Sequence, residues 1–544
     1  MGSGGRAKLV QCLFPFGLLL LLAGGLSRPV RGQVLTSQYD NFRTGSNLHE
    51  TTLTPENVNP NQFGKIFSRQ VDGAIYAQPL YVPGLEIAGK GVHNVLFVAT
   101  EHDSVYAFDA DGNSPQPLWQ VNFLNGDKGV TSVPAVDVGC PFIQPEIGIT
   151  STPVIDPQSG TLYVLARTKE KAGLFGKRHA QRLHGLAVTS GAEKFGGPRE
   201  IRASIKGQGT GSANGQLEFN PLRENQRSSL LLDHGFVYIA WASSCDAGPY
   251  HGWLMAYDAR TLAQVAVFNT SPDSGASGIW AADTGPAADE EGNVFFATGN
   301  GKFDVSSGGR DYGDSVLKLG LAGDQLLVRD YFTPFNEKVL DEKDQDLGSG
   351  GPLLLPDQPG PHPHLLVVSG KGGTVYVLDR DRLGKHQADS DSQIVQSFQG
   401  GVDENFGASA YWNGHVYSIF SADVPKDFAL VRGRLSSEPL RGSRKFPDPG
   451  STPTVSANGS KDGIVWALTS RHWSDFDGRP AVLYAFEASN LAHELYNSEL
   501  NATRDRAGVG LRFCIPMVAN GRVYVGAKGE LDVYGLIAPP EKIR

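Results

Sequence analysis

The residues Asn94-Val-Leu-Phe-Val-Ala-Thr100 and Ser104-Val-Tyr-Ala-Phe108 form two short apolar runs separated by the turn Glu101-His-Asp103. Runs of about five to eight residues, rich in Val, Tyr, Phe and Leu and bounded by turn residues, are typical of β-strands joined by a hairpin. The pattern occurs eight times along the chain. The other seven pairs of runs are 160–167 with 184–188, 235–242 with 252–257, 292–298 with 314–319, 364–369 with 373–378, 414–420 with 428–432, 463–469 with 481–486, and 521–525 with 531–536.

Each pair belongs to a longer repeat. A leading strand precedes it, introduced by small residues and Pro, as in Gln78-Pro79, Ser151-Thr-Pro153 and Cys514-Ile-Pro516, and an outer strand follows most pairs, as at 118–123, 264–269 and 326–332. No outer strand remains after the eighth pair, so residues 64–71 are expected to supply it. No long stretch has helical periodicity. The sequence therefore predicts an all-β, eight-bladed β-propeller whose ring is closed by an N-terminal strand joining the last blade, which leaves few unpaired edges.

The N-terminus has the features of a secretory signal. Basic residues Arg6 and Lys8 precede an apolar run containing residues 18–22, and Arg28 and Arg31 follow it. The run is short for a membrane-spanning helix, and cleavage before Gln33 suits the preceding small residue. We expect residues 1–32 to be a signal peptide and residues 33–544 to be one propeller domain, secreted or periplasmic, without a stable membrane span. An uncleaved anchor is the alternative.

Charge argues against nucleic acid as a partner. The 544 residues carry a net charge of −9, and residues 1–32 contribute four basic and no acidic residues to it. Phosphate recognition needs a clustered basic face. One basic cluster exists, in the turn expected inside the second repeat, and we interpret it as a solvated loop; its members are Lys169, Lys171, Lys177, Arg178, His179 and Arg182.

Three of the four cysteines lie outside the predicted signal peptide: Cys140, Cys245 and Cys514. Disulfides form in oxidising compartments, so a bridge between two of the three is compatible with a secreted protein. The sequence does not give the Cα spacing that would select the pair.

Several motifs resemble those of the quinoprotein alcohol dehydrogenases, eight-bladed propellers that bind pyrroloquinoline quinone. The resemblance is densest in repeats four and five, where Gly278-Ile-Trp280 and Ala288-Asp289 precede Phe295-Phe-Ala-Thr-Gly-Asn300, a run that ends in the family's Thr-Gly-Asn turn. It covers most of the chain and is thin in repeats six and seven. The other matching segments are Tyr39-Asp-Asn41, Thr54-Pro-Glu-Asn-Val58, Ala107-Phe-Asp-Ala110 with Trp119, and Val375-Tyr-Val-Leu-Asp-Arg380.

The resemblance implies a cofactor site. Asn300 matches the residue that gives its side-chain oxygen to calcium, and Asp246 lies within about one position of the family's metal-binding Glu. Asp346 is similar to the carboxylate regarded as general base, and it is also a candidate calcium ligand. Lys371 stands where the family has a cation touching the quinone carbonyls, and Trp280 matches the floor beneath the flat cofactor.

These residue types suit the chemistry that the resemblance implies. Calcium takes six to eight oxygen ligands, which two carboxylates, an amide and the quinone's own oxygens would supply. The ion and Lys371 would withdraw electron density from the quinone carbonyl, and Asp346 would accept the hydroxyl proton of the substrate. The resemblance thus implies oxidation of an alcohol, polyol or sugar hydroxyl with pyrroloquinoline quinone and calcium.

Each site residue also has a structural interpretation. Asn300 between two glycines suits a tight turn, Trp280 suits packing between blades as for Trp119, and the two acidic residues and Lys371 suit solvated turns. The chain departs from the family as well. Cys245 lacks the adjacent Cys that the family often has, and Asp246 is one methylene shorter than Glu. No haem-attachment Cys-x-x-Cys-His is present, so electrons would leave to a separate acceptor.

Two other functions stay open. A non-catalytic propeller that holds protein or glycan partners would share the generic blade repeats. A hydrolase or lyase acting on polysaccharide would use carboxylates in the funnel, although no motif favours it. His362 and His364 are weak metal candidates, because two His flanking a Pro in a loop seldom bind an ion.

Overall fold

Short β-strands make up nearly all of the regular structure. The computed structural model describes residues 1–2, 32–173, 176–282, 284–402, 404–470 and 478–537. The predicted signal peptide falls outside the described residues except at its two ends. In the part that is described, residues Gly32–Arg544 form one compact unit, and no helix there has the length and apolar character to cross a membrane.

The strands in the first half of the chain are β1 Ser46–Asn47, β2 Phe63–Ala74, β3 Leu80–Ile87, β4 Gly91–Ala99, β5 Ser104–Asp109, β6 Trp119–Asn122, β7 Val130–Pro134, β8 Glu146–Ile147, β9 Val154–Asp156, β10 Thr161–Ala172, β11 Gly176–Ala187, β12 Arg199–Glu200, β13 Ser204–Lys206, β14 Gln216–Glu218, β15 Leu231–Asp233, β16 Phe236–Trp241, β17 Trp253–Asp258 and β18 Gln264–Asn269.

Those in the second half are β19 Ala287–Ala288, β20 Asn293–Ala297, β21 Val316–Ala322, β22 Gln325–Phe332, β23 Leu353–Leu354, β24 Leu365–Ser369, β25 Thr374–Asp379, β26 Gln396–Gln399, β27 Ala410–Trp412, β28 His415–Ser418, β29 Lys426–Val431, β30 Arg434–Leu435, β31 Leu440–Arg441, β32 Thr454–Asn458, β33 Lys461–Thr469, β34 Val482–Glu487, β35 Asn490–Asn497, β36 Met517–Ala519, β37 Arg522–Gly526 and β38 Lys528–Leu536. The helices are short: α1 Ala135–Val138, α2 Glu337–Glu342 and α3 Ala502–Asp505, with 3₁₀ turns at Gly126–Lys128, Val305–Ser307 and Leu347–Ser349.

Within the described residues the strands form eight sheets of four or more strands and one separate hairpin, β13–β14. Neighbouring strands are antiparallel, apart from the parallel addition of β1 to β32. Sheet 8 combines β36–β38 with β2, which pairs with β38 from Phe63↔Leu536 onward, as the sequence predicts for residues 64–71. The other sheets are sheet 1 (β3–β6), sheet 2 (β7–β12), sheet 3 (β15–β18), sheet 4 (β19–β22), sheet 5 (β23–β26), sheet 6 (β27–β31) and sheet 7 (β32–β35 with β1).

All eight predicted hairpin pairs occur as adjacent strands, but the interpretation of the basic cluster as a loop is wrong. β10 and β11 remain paired as far as Ala172↔Gly176, so the cluster lies on two long strands. Its cations pair with acids on the same surface: Lys169 with Asp137 at 2.5 Å, and Arg178 with Glu200 at 2.9 Å. The cluster is therefore part of sheet 2, and several of its cations are paired with acidic side chains.

Consecutive sheets are joined by hydrogen bonds between residues that precede their innermost strands. Backbone amides and side chains of one sheet reach the next at seven junctions between neighbouring sheets. The bonds are Gln78 N to Thr152 Oγ1 (2.8 Å), Leu230 N to Thr152 O (3.0 Å), Ser229 N to Thr284 O (2.8 Å), Ala282 N to Ser349 O (3.1 Å), Ser349 Oγ to Asn405 O (2.6 Å), Ala408 N to Thr452 Oγ1 (3.0 Å) and Cys514 Sγ to Ile75 O (3.3 Å).

The segment 34–47 contacts all eight of these sheets. The segment accepts hydrogen bonds from some of the sheets and donates hydrogen bonds to the others. The fully buried Arg43 holds it in place. The bonds are Val34 N to Tyr81 O, Ile155 N to Leu35 O, Asn41 Nδ2 to Leu232 O, Ala288 N to Asn41 O, Leu354 N to Phe42 O, Tyr411 N to Thr44 O, Val455 N to Gly45 O and Asn47 Nδ2 to Val518 O, all between 2.8 and 3.0 Å. One short segment therefore forms hydrogen bonds with a strand of each of these eight sheets.

Apolar side chains fill the space between neighbouring sheets. Trp241 and Trp253 of sheet 3 are fully buried in one cluster with Tyr163 of sheet 2. Trp119 of sheet 1 packs against sheet 2 and donates its Nε1 to Val188 O at 2.9 Å, so it fills the space between sheets as the sequence predicts. Burial of each such side chain contributes roughly 1.5–3 kcal/mol.

Candidate functional site

One cavity of about 160 Å³ collects most of the predicted site residues. It is lined by residues from the loops that precede and follow the innermost strands of several sheets. Asp246, Trp280, Asp346 and Lys371 all line it. A pocket with a few convergent polar groups is the usual form of a ligand site. The remaining walls include Cys140, Phe142, Arg227, Ser243, Ser244, Cys245, Phe406, Arg512 and Phe513.

Asp346 is buried and held by two donors. It directly precedes the 3₁₀ turn Leu347–Ser349, and its Oδ1 accepts a hydrogen bond from Asn300 N at 2.8 Å. Its Oδ2 lies 2.6 Å from Lys371 Nζ. Burial raises the pKa of Asp346 above its ordinary value, although Lys371 and the Asn300 amide oppose the shift. A carboxylate with a raised pKa is a better proton acceptor when it is ionised.

Lys371 bridges two acidic residues. Its Nζ lies 2.6 Å from Asp346 and 3.1 Å from the exposed Asp344, and 5.8 Å from the centre of the Phe406 ring. Burial alone would lower the pKa of Lys371, but the two carboxylates hold it above its ordinary value. The ammonium therefore stays charged at the cavity wall.

Asn300 joins the same cluster through its backbone and side chain. Its Nδ2 donates to Asp344 Oδ1 at 2.7 Å, and its carbonyl accepts from Ser277 N at 2.6 Å, which fits the turn interpretation. Its Oδ1 is buried and has no hydrogen-bond partner among the described residues. Since an unsatisfied buried acceptor is costly, this oxygen is suited to a ligand or cation.

Trp280 and Asp346 converge above Gly299. A Cβ on Gly299 would lie 2.1 Å from Asp346 Oδ1 and 2.7 Å from Trp280 Nε1, so only glycine fits there. The indole lines the cavity, and the Tyr250 ring meets it edge-on with centroids 6.1 Å apart. Trp280 Nε1 is buried, and no described atom accepts its hydrogen. Trp280 therefore faces the cavity instead of packing between sheets.

Asp246 is on the cavity wall but outside this cluster. It is exposed, its backbone has a φ of 53°, and its Oδ1 accepts a hydrogen bond from Tyr250 OH at 2.6 Å. No direct contact with Asn300 or Asp346 is recorded among the described side chains. Asp346, Lys371 and Trp280 thus line the cavity as a cluster that Asn300 joins through Asp346 without lining the cavity itself, and Asp246 lines it apart from them.

Sequence reasoning missed much of the remaining wall. Cys140 and Cys245 form a disulfide that lines the cavity, a pair that the sequence left open among three cysteines. Arg227 stacks on the Phe513 ring at 4.5 Å, and Arg512 on the Phe142 ring at 3.8 Å. Their position in the sequence could have indicated these residues, because Arg227 and Phe513 come just before the first strands of their sheets, where neighbouring sheets meet.

The residues present fit a flat, anionic quinone. An indole and a disulfide offer apolar faces, and Lys371, Arg227 and Arg512 supply positive charge. For calcium, Asn300 Oδ1 and the adjacent Asp346 are suitable oxygens. In the described part of the chain, no group of three His, Cys, Asp or Glu side chains is placed to hold an ion. Calcium ligation would therefore require oxygens from the ligand.

Comparison with solved structures identifies the class of fold. A quinohemoprotein alcohol dehydrogenase from Pseudomonas putida superposes with a TM-score of 0.57 at 14% identity, over 94% of this chain and 81% of that one. A europium-containing methanol dehydrogenase superposes with a TM-score of 0.58 at 14% identity, over 93% of this chain and 99% of that one.

No protein-family model matches the chain, and no curated protein sequence is detectably similar. The chain thus shares the all-β, propeller-like fold of these two dehydrogenases. Fold does not by itself assign function, which depends on the site.

Proposed function

We propose that this protein is a quinone-dependent oxidoreductase that oxidises an alcohol, polyol or sugar hydroxyl. The observation that carries the proposal is the cluster in which Asp346 bonds to both Asn300 N and Lys371 Nζ, beside the Trp280 indole. These four residues come from separate loops and have the types that the resemblance implies. Pyrroloquinoline quinone and calcium are the proposed cofactors, and a separate protein or small molecule accepts the electrons.

Asp346 is the proposed catalytic base. Its carboxylate faces the cavity and takes the hydroxyl proton of the substrate, while Asn300 N holds Oδ1 in place. Lys371 keeps positive charge beside the carboxylate and would stabilise negative charge on a bound quinone. Trp280 would supply a flat face for the quinone ring, and Asn300 Oδ1, Asp346 and Asp246 are the proposed calcium ligands. When bound, the quinone is the two-electron acceptor.

We also infer that the eight sheets are the blades of one closed ring formed by residues 33–544. Support comes from the pairing of β2 with β38, the bonds between consecutive sheets, and the segment 34–47 that reaches all eight. The disulfide supports an oxidising location, so we propose a secreted or periplasmic protein with residues 1–32 as its signal.

The test is substrate-dependent reduction of an artificial electron acceptor. Purified protein reconstituted with the quinone and calcium should bleach the acceptor when given alcohols or sugars, and the Asp346→Asn variant should not. Quinone binding without turnover of any hydroxyl compound would refute the enzymatic role. No quinone binding at micromolar concentration would favour the scaffold function, and release of oligosaccharides from polysaccharide would favour the hydrolase or lyase.

A further inference from the structure

A second, smaller cavity of about 10 Å³ lies next to the candidate site and shares Arg227 and Phe513 with it. It is formed where the chain approaches the innermost strands of several sheets. Gln78, Thr152, Ser229 and Thr284 line it from sheets 1, 2, 3 and 4. A cavity of this volume holds roughly one particle the size of a water molecule.

The unpartnered polar groups of this cavity can all donate a hydrogen bond. Arg227 Nη2, Ser229 Oγ, Thr284 Oγ1 and Gln78 Nε2 are all buried without hydrogen-bond partners among the described residues. Gln78 Oε1 accepts a hydrogen bond from Gln38 N at 3.1 Å, so the atom of the amide that lacks a partner is the donor Nε2. Thr152 Oγ1 accepts a hydrogen bond from Gln78 N at 2.8 Å.

No carboxylate of the described residues lines the cavity. The acid whose charge acts on Arg227 is Glu101, which accepts hydrogen bonds from Gly148 N at 2.7 Å and Thr150 Oγ1 at 3.2 Å. Arg227 stacks on Phe513 and lies 5.7 Å from the centre of the Tyr76 ring, and no ion pair of Arg227 is recorded among the described residues. A buried guanidinium N–H and several hydroxyls without an acceptor are costly unless a hydrogen-bond acceptor occupies the cavity, and the positive charge of Arg227 favours an anion in that role.

We propose that this cavity binds a small inorganic anion of halide size, held by Arg227 Nη2 and by the donors of Ser229, Thr284 and Gln78. The small volume suits a monatomic ion better than a polyatomic oxyanion. The bound anion would neutralise Arg227 and join sheets 1, 3 and 4 through one shared partner. This site is independent of the proposed oxidation, because it needs neither quinone nor substrate.

The first experiment locates the ion. Crystals of the protein without organic ligand, grown in sodium bromide instead of chloride, should give an anomalous peak within hydrogen-bonding range of Arg227 Nη2 and Thr284 Oγ1. A map without a peak there would show a bound water only and would overturn the proposal.

The second experiment measures affinity. Chloride or bromide, added at constant ionic strength in place of gluconate, should raise the melting temperature saturably, because an ion that binds only the folded state stabilises it. Thr284→Val keeps the side-chain shape and should raise the apparent dissociation constant about tenfold, the equivalent of one hydrogen bond to an ion. Thr131→Val, on an exposed strand, is the matched control and should not change it. Equal melting temperatures of the unaltered protein in halide and gluconate would contradict the proposal.

Discussion

Asp346 Oδ2 and Lys371 Nζ lie 2.6 Å apart at the wall of the larger cavity, and both side chains are largely shielded from solvent. The pair is therefore a charge-assisted contact inside a ligand-sized pocket instead of a surface ion pair. Such contacts are strong when the geometry is good, and removal of one partner leaves an uncompensated buried charge. This relationship makes the proposed catalytic role of Asp346 testable through its proton affinity.

Lys371→Met should move the acidic limb of the pH profile to higher pH. Lys371 opposes the effect of burial on Asp346, so its removal raises the pKa of that carboxyl further. The base then becomes protonated at a higher pH, and activity is lost earlier as the pH falls. The measurement is kcat/KM against pH for the reconstituted enzyme. Lys343→Met, at an exposed position, is the control, and an acidic limb that does not move would contradict the role of the pair.

Gly299→Ala should reduce turnover by about 10²-fold or more, because its Cβ would overlap Asp346 Oδ1 and approach Trp280 Nε1. A displacement of about 1 Å at a reacting group is expected to cost this much. Gly126→Ala has open space around its Cβ and serves as the control. Normal turnover in Gly299→Ala, with an unchanged melting temperature, would show that neither side chain takes part in catalysis.

Arg43→Met should lower the free energy of unfolding by about 3–5 kcal/mol, because it leaves several buried oxygen acceptors without a donor, each at a cost of about 1–3 kcal/mol. Arg43 Nε donates to Pro286 O at 2.9 Å, and Nη1 donates to Thr36 Oγ1 and Ser37 O, both at 2.8 Å. These bonds hold the segment 34–47 against the sheets. Urea denaturation measures the effect, and Arg202→Met, which removes a largely exposed cation, should change little. Equal stability of the two variants would mean that the segment does not hold the sheets together.

Glu101 should make the protein less stable as the pH rises from about 4.5 to about 7. Burial raises the pKa of this carboxyl to about 7, so the folded state binds the proton more tightly than the unfolded chain does. Protons are then released on unfolding in that range, and the stability they confer is lost as the pH rises. Glu101→Gln should flatten this dependence by on the order of 2 kcal/mol. Urea midpoints at pH 5 and pH 8 provide the test, and parallel changes in both proteins would contradict it.

The repeat pattern was sufficient to predict the strands. Alternation of apolar and turn residues gave all eight hairpins and the pairing of residues 64–71 with the last strand, because each hairpin is a local structure. The extension of β10 and β11 was missed because its stability depends on Asp137 and Glu200, which are distant in the sequence. Local composition alone favours a loop for such a charged run.

Only part of the site could be predicted from the sequence. The Asp346, Asn300, Lys371 and Trp280 cluster followed from a resemblance of motifs, whereas Asp246 was carried over with it and lies apart, bonded to Tyr250. Cys140 and Cys245 are 105 residues apart, and their pairing could not be predicted from the sequence because it depends on how the chain folds. The same holds for Arg227 and Phe513, whose loops have no motif and meet only when neighbouring sheets pack together.

Equilibrium titration with pyrroloquinoline quinone in the presence of calcium tests the central claim most directly, followed by absorbance and by melting temperature. We predict saturable binding at micromolar concentration with a rise in melting temperature, since a ligand of the folded state must stabilise it. Trp280→Ala should weaken this binding, and Trp119→Ala, which lies between sheets 1 and 2, should leave the affinity unchanged while lowering stability. No spectral change and no thermal shift in the unaltered protein would contradict the assignment of the cavity as a quinone site.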